Sequence, residues 1–304
     1  MSMTIAYMLM TVAILFTATS SCILHKFNNK GIETTGDLFF FNSGISLIWT
    51  IIMTGWFFAW GEVAISPAAL LFGTIYGILL CAFLYFKTTA LTTGPVSLTT
   101  LISCCAFVIA TGFGVVYANE TVNVFQIIGM LLLLVSLVFC VNPKKSGEKL
   151  TVKWFVYAFL FFLAGGFVGI FYKIFGKSPA AGEVNGMMLT AAVVSMVMFA
   201  LFGIVINKAT GKPLPRIRRS ALIYILLAGA TSCIYIRLNV SLSAVIPSAV
   251  FFPVSNGSTV ILSTLAGKLL FGERLKPIQT AGILIGFIAI VITGCGQAIF
   301  EMIA

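Results

Sequence analysis

The sequence predicts an all-α membrane protein: ten transmembrane helices arranged as two inverted five-helix repeats. Three observations carry the prediction. Of the 304 residues, 60% are hydrophobic and 9% charged, against roughly 45–50% and about 25% in soluble domains. The apolar residues gather into ten runs, each near the roughly twenty residues that a membrane-crossing helix needs. The basic residues collect in alternate loops, the pattern that orients membrane helices. Mean hydropathy is +1.11; a soluble fold could not bury so much apolar surface, whereas lipid solvates it.

The ten spans are expected at 3–24, 38–59, 68–91, 95–118, 122–142, 153–173, 184–206, 219–242, 246–270 and 277–298. Barrel strands would instead alternate over about ten residues. The segment Met1 to Leu24 lacks a basic leading region and a clear small-residue cleavage site, so it is expected to be the first span rather than a cleaved signal. The polar stretch Asn142-Pro143-Lys144-Lys145-Ser146-Gly147-Glu148-Lys149 splits the chain five and five. That gives a first repeat over 1–143, a cytoplasmic linker over 144–152 and a second repeat over 153–304.

Loops after odd-numbered spans hold fifteen of the eighteen Lys and Arg, counting Lys87. Those after even-numbered spans hold Lys173, Lys177 and Arg237. The odd loops, including Lys208 to Arg219, are therefore expected in the cytoplasm and both termini outside. With five spans per half, the halves must insert in opposite orientations. The cations follow membrane topology, so the net charge of +10 does not call for a nucleic-acid partner.

The halves also align by residue. Lys26 and Lys30 match Lys173 and Lys177 at an offset of 147 (173 − 26). Tyr85 and Lys87 match Tyr235 and Arg237 at 150 (237 − 87). Pro95 and Ser103 match Pro247 and Ser255 at 152 (247 − 95), and Glu120 and Gly129 match Glu273 and Gly282 at 153 (273 − 120). Small drift in the offset is what loop-length differences produce, and an inverted duplication is a common plan among secondary transporters.

Leu269-Leu270-Phe271-Gly272-Glu273-Arg274-Leu275, followed by Gln279, Gly282 and an apolar helix, resembles the last two spans of the drug/metabolite transporter superfamily in its EamA-like branch. Val116-Tyr117-Ala118-Asn119-Glu120 through Gly129 repeats the pattern more weakly, and Tyr85, Ala90, Leu91 and Pro95 fall where that family joins spans three and four. The resemblance implies ten helices, alternating access and a central cavity lined mainly by spans one, three, four, six, eight and nine. It does not specify a substrate. Family members often carry an arginine early in spans two and seven; this chain has Asn42 and Asn185 nearby.

The eight acids are Glu33, Asp37, Glu62, Glu120, Glu148, Glu183, Glu273 and Glu301, all expected in loops or at helix ends. An exporter of organic cations that couples to protons usually needs an acid within the membrane, so that class loses support. Two cations do fall within spans. Lys87 and Arg237 each cost up to roughly 2.5–3.5 kcal/mol at a helix centre, and less near an end. They either bind an anionic solute or snorkel to the headgroups. Arg237 is the stronger candidate, because it points to the side where basic residues are scarce. Tyr85 and Tyr235 precede these cations by two residues, about 200° round a helix, and serve either the solute or packing. Spans four and nine carry Thr99, Thr100, Ser103, Ser255, Asn256, Ser258 and Thr259. Of these Ser103, Ser255 and Asn256 are candidate hydrogen-bonding ligands; the carboxamide of Asn256 needs a partner, a solute or a neighbouring helix. Pro247 and Pro253 are expected to bend span nine and free carbonyls. Lys26, Lys30, Lys173 and Lys177 read as interface anchors. Gly73 with Gly77, Gly165 with Gly169, and Gly282 with Gly286 have the spacing that lets helices pack closely.

Several chemistries lose ground here. The seven cysteines lie in apolar runs and His25 is the sole histidine, so no metal site and no disulfide framework is expected. There is no nucleotide motif and no intramembrane His or acid cluster for general acid–base work, so neither a cofactor nor an enzymatic activity is expected. The sequence points to a transporter in a cell membrane, of plasma or prokaryotic inner type. It is expected to carry a small organic metabolite, anionic or zwitterionic, with the lipid bilayer as its other partner and a monomer as a workable state. An exporter of neutral or aromatic compounds, with phenylalanines as the cavity wall, is the alternative.

Overall fold

The computed structural model describes residues 2–31, 34–59, 65–94, 96–140, 151–214, 219–271 and 276–303. Side chains at 25–31, 96, 97, 100, 220, 267, 270, 271, 298, 299 and 303 lie outside the description. The described residues form eleven α-helices and no strand: α1 (Met3–Gly31), α2 (Thr35–Ala59), α3 (Pro67–Thr93), α4 (Val96–Cys104), α5 (Phe107–Ala118), α6 (Val124–Cys140), α7 (Val152–Gly176), α8 (Val184–Ala209), α9 (Leu222–Ser243), α10 (Ser248–Phe271) and α11 (Pro277–Ile303). Nine apolar stretches of 18 residues or more among them are long enough to cross a membrane, and the apolar α6 is shorter. Large side chains such as Val116, Phe58 and Leu284 stand exposed, as lipid-facing residues do. The chain is an all-helical, multi-pass membrane protein.

One expected span is interrupted. The run 95–118 forms two helices, α4 and α5, because Ala106 and Ile109 donate to carbonyls three residues back, Ser103 and Ala106, at 3.0 and 3.2 Å. This tighter winding breaks the regular ladder within the run. Pro247 also departs from expectation. It precedes α10, where its missing N–H costs nothing, and its carbonyl accepts from Val250 and Phe251 at 3.0 and 2.9 Å. Pro253 lies inside α10 as expected.

The helices form two compact units. One comprises Met1–Met10, Phe83–Lys173 and Leu242–Ala304; the other Thr11–Ala82 and Ile174–Ser241. Both draw residues from each half of the sequence.

In the first unit α6 and α11 pack along each other. Small residues bring them together: Gly129 lies against Thr293 and Ala289, Gly282 against Phe139 and Cys140, and Ser136 Oγ donates to the Gly282 carbonyl at 2.7 Å. α7 meets α5 through Gly165 and Gly169, which face Ala106 and Ala110. Trp154 Nε1 ties the start of α7 to α4 by donating to Thr99 Oγ1 at 2.9 Å. Around it Ala90, Trp154 and Ala158 form a buried cluster.

In the second unit α2 packs along α8. The Ser46 and Ser195 hydroxyls meet at 3.1 Å, and Ser43 Oγ donates to the Met196 carbonyl at 2.9 Å. Gly73 and Gly77 of α3 face Met187, Thr190 and Val194 of α8. α9 closes on α2 through Phe41, Ile45, Ala221, Ile225 and Ala228. The start of α2 is capped. Thr34 and Asp37 exchange backbone-to-side-chain bonds at 3.0 Å ahead of α2, a reciprocal cap that satisfies two otherwise orphaned donors.

Candidate functional site

Arg237 lies in α9 of the second unit, six residues before that helix ends (243 − 237). Its side chain is half-buried. The Nε–H donates to Asn185 Oδ1 at 3.0 Å, and the guanidinium carbon sits 4.9 Å from the ring centroid of Trp56. Three helices therefore build this environment. Asn185 is the second residue of α8, buried at 6% exposure, and its carboxamide oxygen finds a partner in Arg237. Trp56 comes from the last turn of α2 and offers the negative face of its indole to the cation, an interaction of about 0.5–2 kcal/mol. Together these contacts fix the plane of the guanidinium, whose fork matches carboxylate and phosphate oxygens. Tyr235 is half-buried on the same helix, turned about 200° from Arg237.

The other sequence candidates belong to the first unit. Lys87 lies six residues before the end of α3 (93 − 87) and is exposed. In the same unit Cys104, the last residue of α4, is the edge of the break before α5. Discontinuous helices mark solute sites in many transporters. Ser103 lies at that break, its carbonyl taken by Ala106. Tyr85 packs edge-on to Phe86 and Tyr157, with centroids 5.8 and 6.3 Å away. Asn256 is exposed, and its Nδ2 donates within its own helix to the Phe252 carbonyl at 3.0 Å. Ser255 Oγ is buried with no hydrogen-bond partner among the described residues, as is Thr88 Oγ1 next to Lys87. These two unspent hydroxyls belong to the same unit as the exposed ammonium.

Lys173 corrects the sequence reading. It is no interface anchor but a buried residue, 3% exposed. Its Nζ donates to Glu120 Oε1 at 2.8 Å and to the Ile246 carbonyl at 3.1 Å. The other carboxylate oxygen, Oε2, accepts the Ser248 N–H at 2.6 Å. Glu120 thus neutralises a buried cation and caps the first turn of α10, where orphan N–H groups favour an anion. Asn119 turns the chain with a left-handed backbone, φ 52°, a conformation asparagine tolerates better than most residues. Gly114 lets Ser248 come close, since a Cβ there would strike its side chain. Composition could not reveal this pair. The available hint was a lysine followed directly by Ile174 and Phe175, which is poor company for a headgroup anchor.

Burial pushes the Glu120 carboxyl upward, but the Lys173 and Ser248 hydrogen bonds and the Lys173 charge outweigh it and hold the group below the usual carboxylate value of 4.5. A folded-state value below the unfolded one stabilises the protein above the ordinary carboxylate range, and that contribution is lost as pH falls through the depressed value. Thermal melting should therefore show an acid limb below pH 4.5 that Glu120→Gln removes. An unchanged limb in that variant would assign it to other carboxylates.

The seven cysteines are all free, and no cluster of His, Cys, Asp or Glu fit for a metal occurs among the described residues. Neither a family model nor a curated protein matches this sequence. A solved structure described only as "Crystal structure of protein" is similar over 99% of this chain and 100% of its own, with TM-score 0.79 and 13% identity. At that identity the likeness shows a shared fold and nothing more.

Proposed function

We propose that this protein is a secondary transporter for small anionic or zwitterionic metabolites, built from ten spans in two inverted repeats and working by alternating access, as in the drug/metabolite transporter superfamily. The observation that carries the functional reading is the Arg237 guanidinium, placed inside an apolar span and oriented by a neutral carboxamide and an indole face. A guanidinium stays protonated throughout the physiological range, and its planar fork suits a carboxylate or phosphate oxygen. Lys87, at the matching position of the first repeat, supplies a second charge. Ser103, Ser255 and Asn256 supply hydrogen bonds, and Tyr85 and Tyr235 flank the two cations.

The repeat draws support from contacts that recur at the offset of 153. The Asn123 N–H donates to Gln126 Oε1 at 3.1 Å, and 153 residues on the Lys276 N–H donates to Gln279 Oε1 at 3.0 Å. Gly129 packs against residue 289, and the carbonyl of Gly282 accepts from residue 136. Since 129 + 153 = 282 and 136 + 153 = 289, the two contacts exchange under the offset, as a local two-fold axis requires.

The reading is tested by a thermal-shift screen of purified protein against anionic, zwitterionic and neutral metabolites. A ligand at about a hundred times its Kd stabilises by about 2.7 kcal/mol. Shifts confined to carboxylates or phosphates support it, whereas shifts confined to neutral aromatic compounds favour the exporter alternative. Topology has its own test. A cysteine at Gly211 should resist a membrane-impermeant reagent added outside, while one at Ala304 should react. The reverse result would invert the orientation.

A further inference from the structure

We propose that Lys173, Glu120 and the first turn of α10 form a lock that closes one face of the first unit and must open during each transport cycle. The proposal rests on the transporter reading, but it uses neither Arg237 nor Lys87. Three chain segments converge on one carboxylate. Glu120 follows α5, Lys173 comes from the last turn of α7, and Ser248 begins α10. Lys173 also reaches the carbonyl of Ile246, just before α10, so a single ion pair holds both sides of the α9–α10 junction to α5 and α7.

The contact is built for release rather than for permanent support. Glu120 is not sealed in: its side chain keeps 18% exposure beside the 4% of Lys173. It lies at the solvent end of α5, so water can take over the carboxylate when the junction moves. A permanent bond across the same gap is more cheaply made by apolar packing, because charges buried as a pair gain little over hydrophobic residues of the same volume. The neighbouring fit is close yet small: Gly114 faces Ser248, and Thr111 Oγ1 donates to the Ser248 carbonyl at 3.4 Å. By the basic-loop topology this end of the unit faces outside. Breaking the ion pair would free the start of α10, and with it the residues directly behind, such as Ala249 at 1% exposure.

The test uses the full chain in proteoliposomes, its native cysteines replaced, with a single cysteine at Ala249 and a membrane-impermeant maleimide added outside and, separately, to both faces. A second single cysteine at Ala158, 0% exposed at the far end of α7, reports general unfolding. Glu120→Gln should raise the Ala249→Cys labelling rate at least about tenfold while Ala158→Cys stays silent, as local opening predicts. Lys173→Met, which keeps the apolar stem and leaves no buried cation, should do the same and decides the matter if Glu120→Gln fails to fold. In a separate variant with Ala249 unchanged, joining Glu120→Cys to Lys173→Cys with a short thiol cross-linker should stop uptake of any substrate found. Labelling at Ala249 unchanged in a folded variant, or rising in parallel at Ala158, would overturn the lock and leave the pair as fold support. Selective labelling at Ala249 without any compound being moved would keep the lock and overturn the transport reading instead.

Discussion

Arg237→Gln is expected to abolish most transport of an anionic substrate while leaving protein abundance near normal. Glutamine retains a donor for the solute and can keep the company of Asn185, but it carries no charge. The loss is electrostatic, and charge-assisted hydrogen bonds are worth roughly twice neutral ones. A bond to a charged group contributes about 1.5–3 kcal/mol, so uptake below saturation should fall by about one to two orders of magnitude. Arg237→Lys restores the charge but not the two-pronged geometry and cannot reproduce the Nε contact to Asn185, so its rescue should be partial. Uptake by the three proteins in proteoliposomes gives the comparison. Wild-type uptake by Arg237→Gln would mean that the guanidinium serves the headgroups, and the anion reading would then rest on Lys87 alone.

The second large effect is expected at the α6–α11 contact. A Cβ added at Gly129 would lie 2.9 Å from the Thr293 backbone nitrogen and 3.0 Å from the Ala289 carbonyl oxygen. At Gly282 it would lie 2.9 Å from both the Cys140 backbone nitrogen and the Phe139 Cβ. Backbone atoms cannot swing aside, so the helices must separate. Overpacking of this kind costs about 1–3 kcal/mol, and helix association in lipid depends on such close packing. Gly129→Val and Gly282→Val should each lower the melting temperature in detergent, by similar amounts because at both positions the added carbon meets a backbone nitrogen at 2.9 Å. Gly112→Val, where a Cβ meets nothing within 4 Å, should leave it unchanged. Equal stability in all three would remove the close-packing argument.

The sequence by itself determined the class and the placement of the elements. Span length, hydropathy and loop charge are sums over neighbouring residues, and a bilayer imposes one helical solution on a long apolar run. The helices α2, α3 and α7 to α11 accordingly fall close to the expected runs. Arg237 was legible as unusual for the same reason: its cost in an apolar span can be read from its neighbours alone. Its partners could not be read, because Trp56 and Asn185 are distant in sequence and meet it only when α2, α8 and α9 pack. The break between α4 and α5 was hidden as well, since Ser103-Cys104-Cys105-Ala106 contains neither proline nor glycine and its hydropathy matches that of its flanks. The tertiary structure alone turned Lys173 from an anchor into half of a buried pair. Sequence offers a lysine near a helix end and a glutamate in a loop 53 residues away (173 − 120). Whether they snorkel apart or pair depends on where α7 and α10 place them, and on the desolvation that makes a lone buried ammonium costly enough to demand a carboxylate.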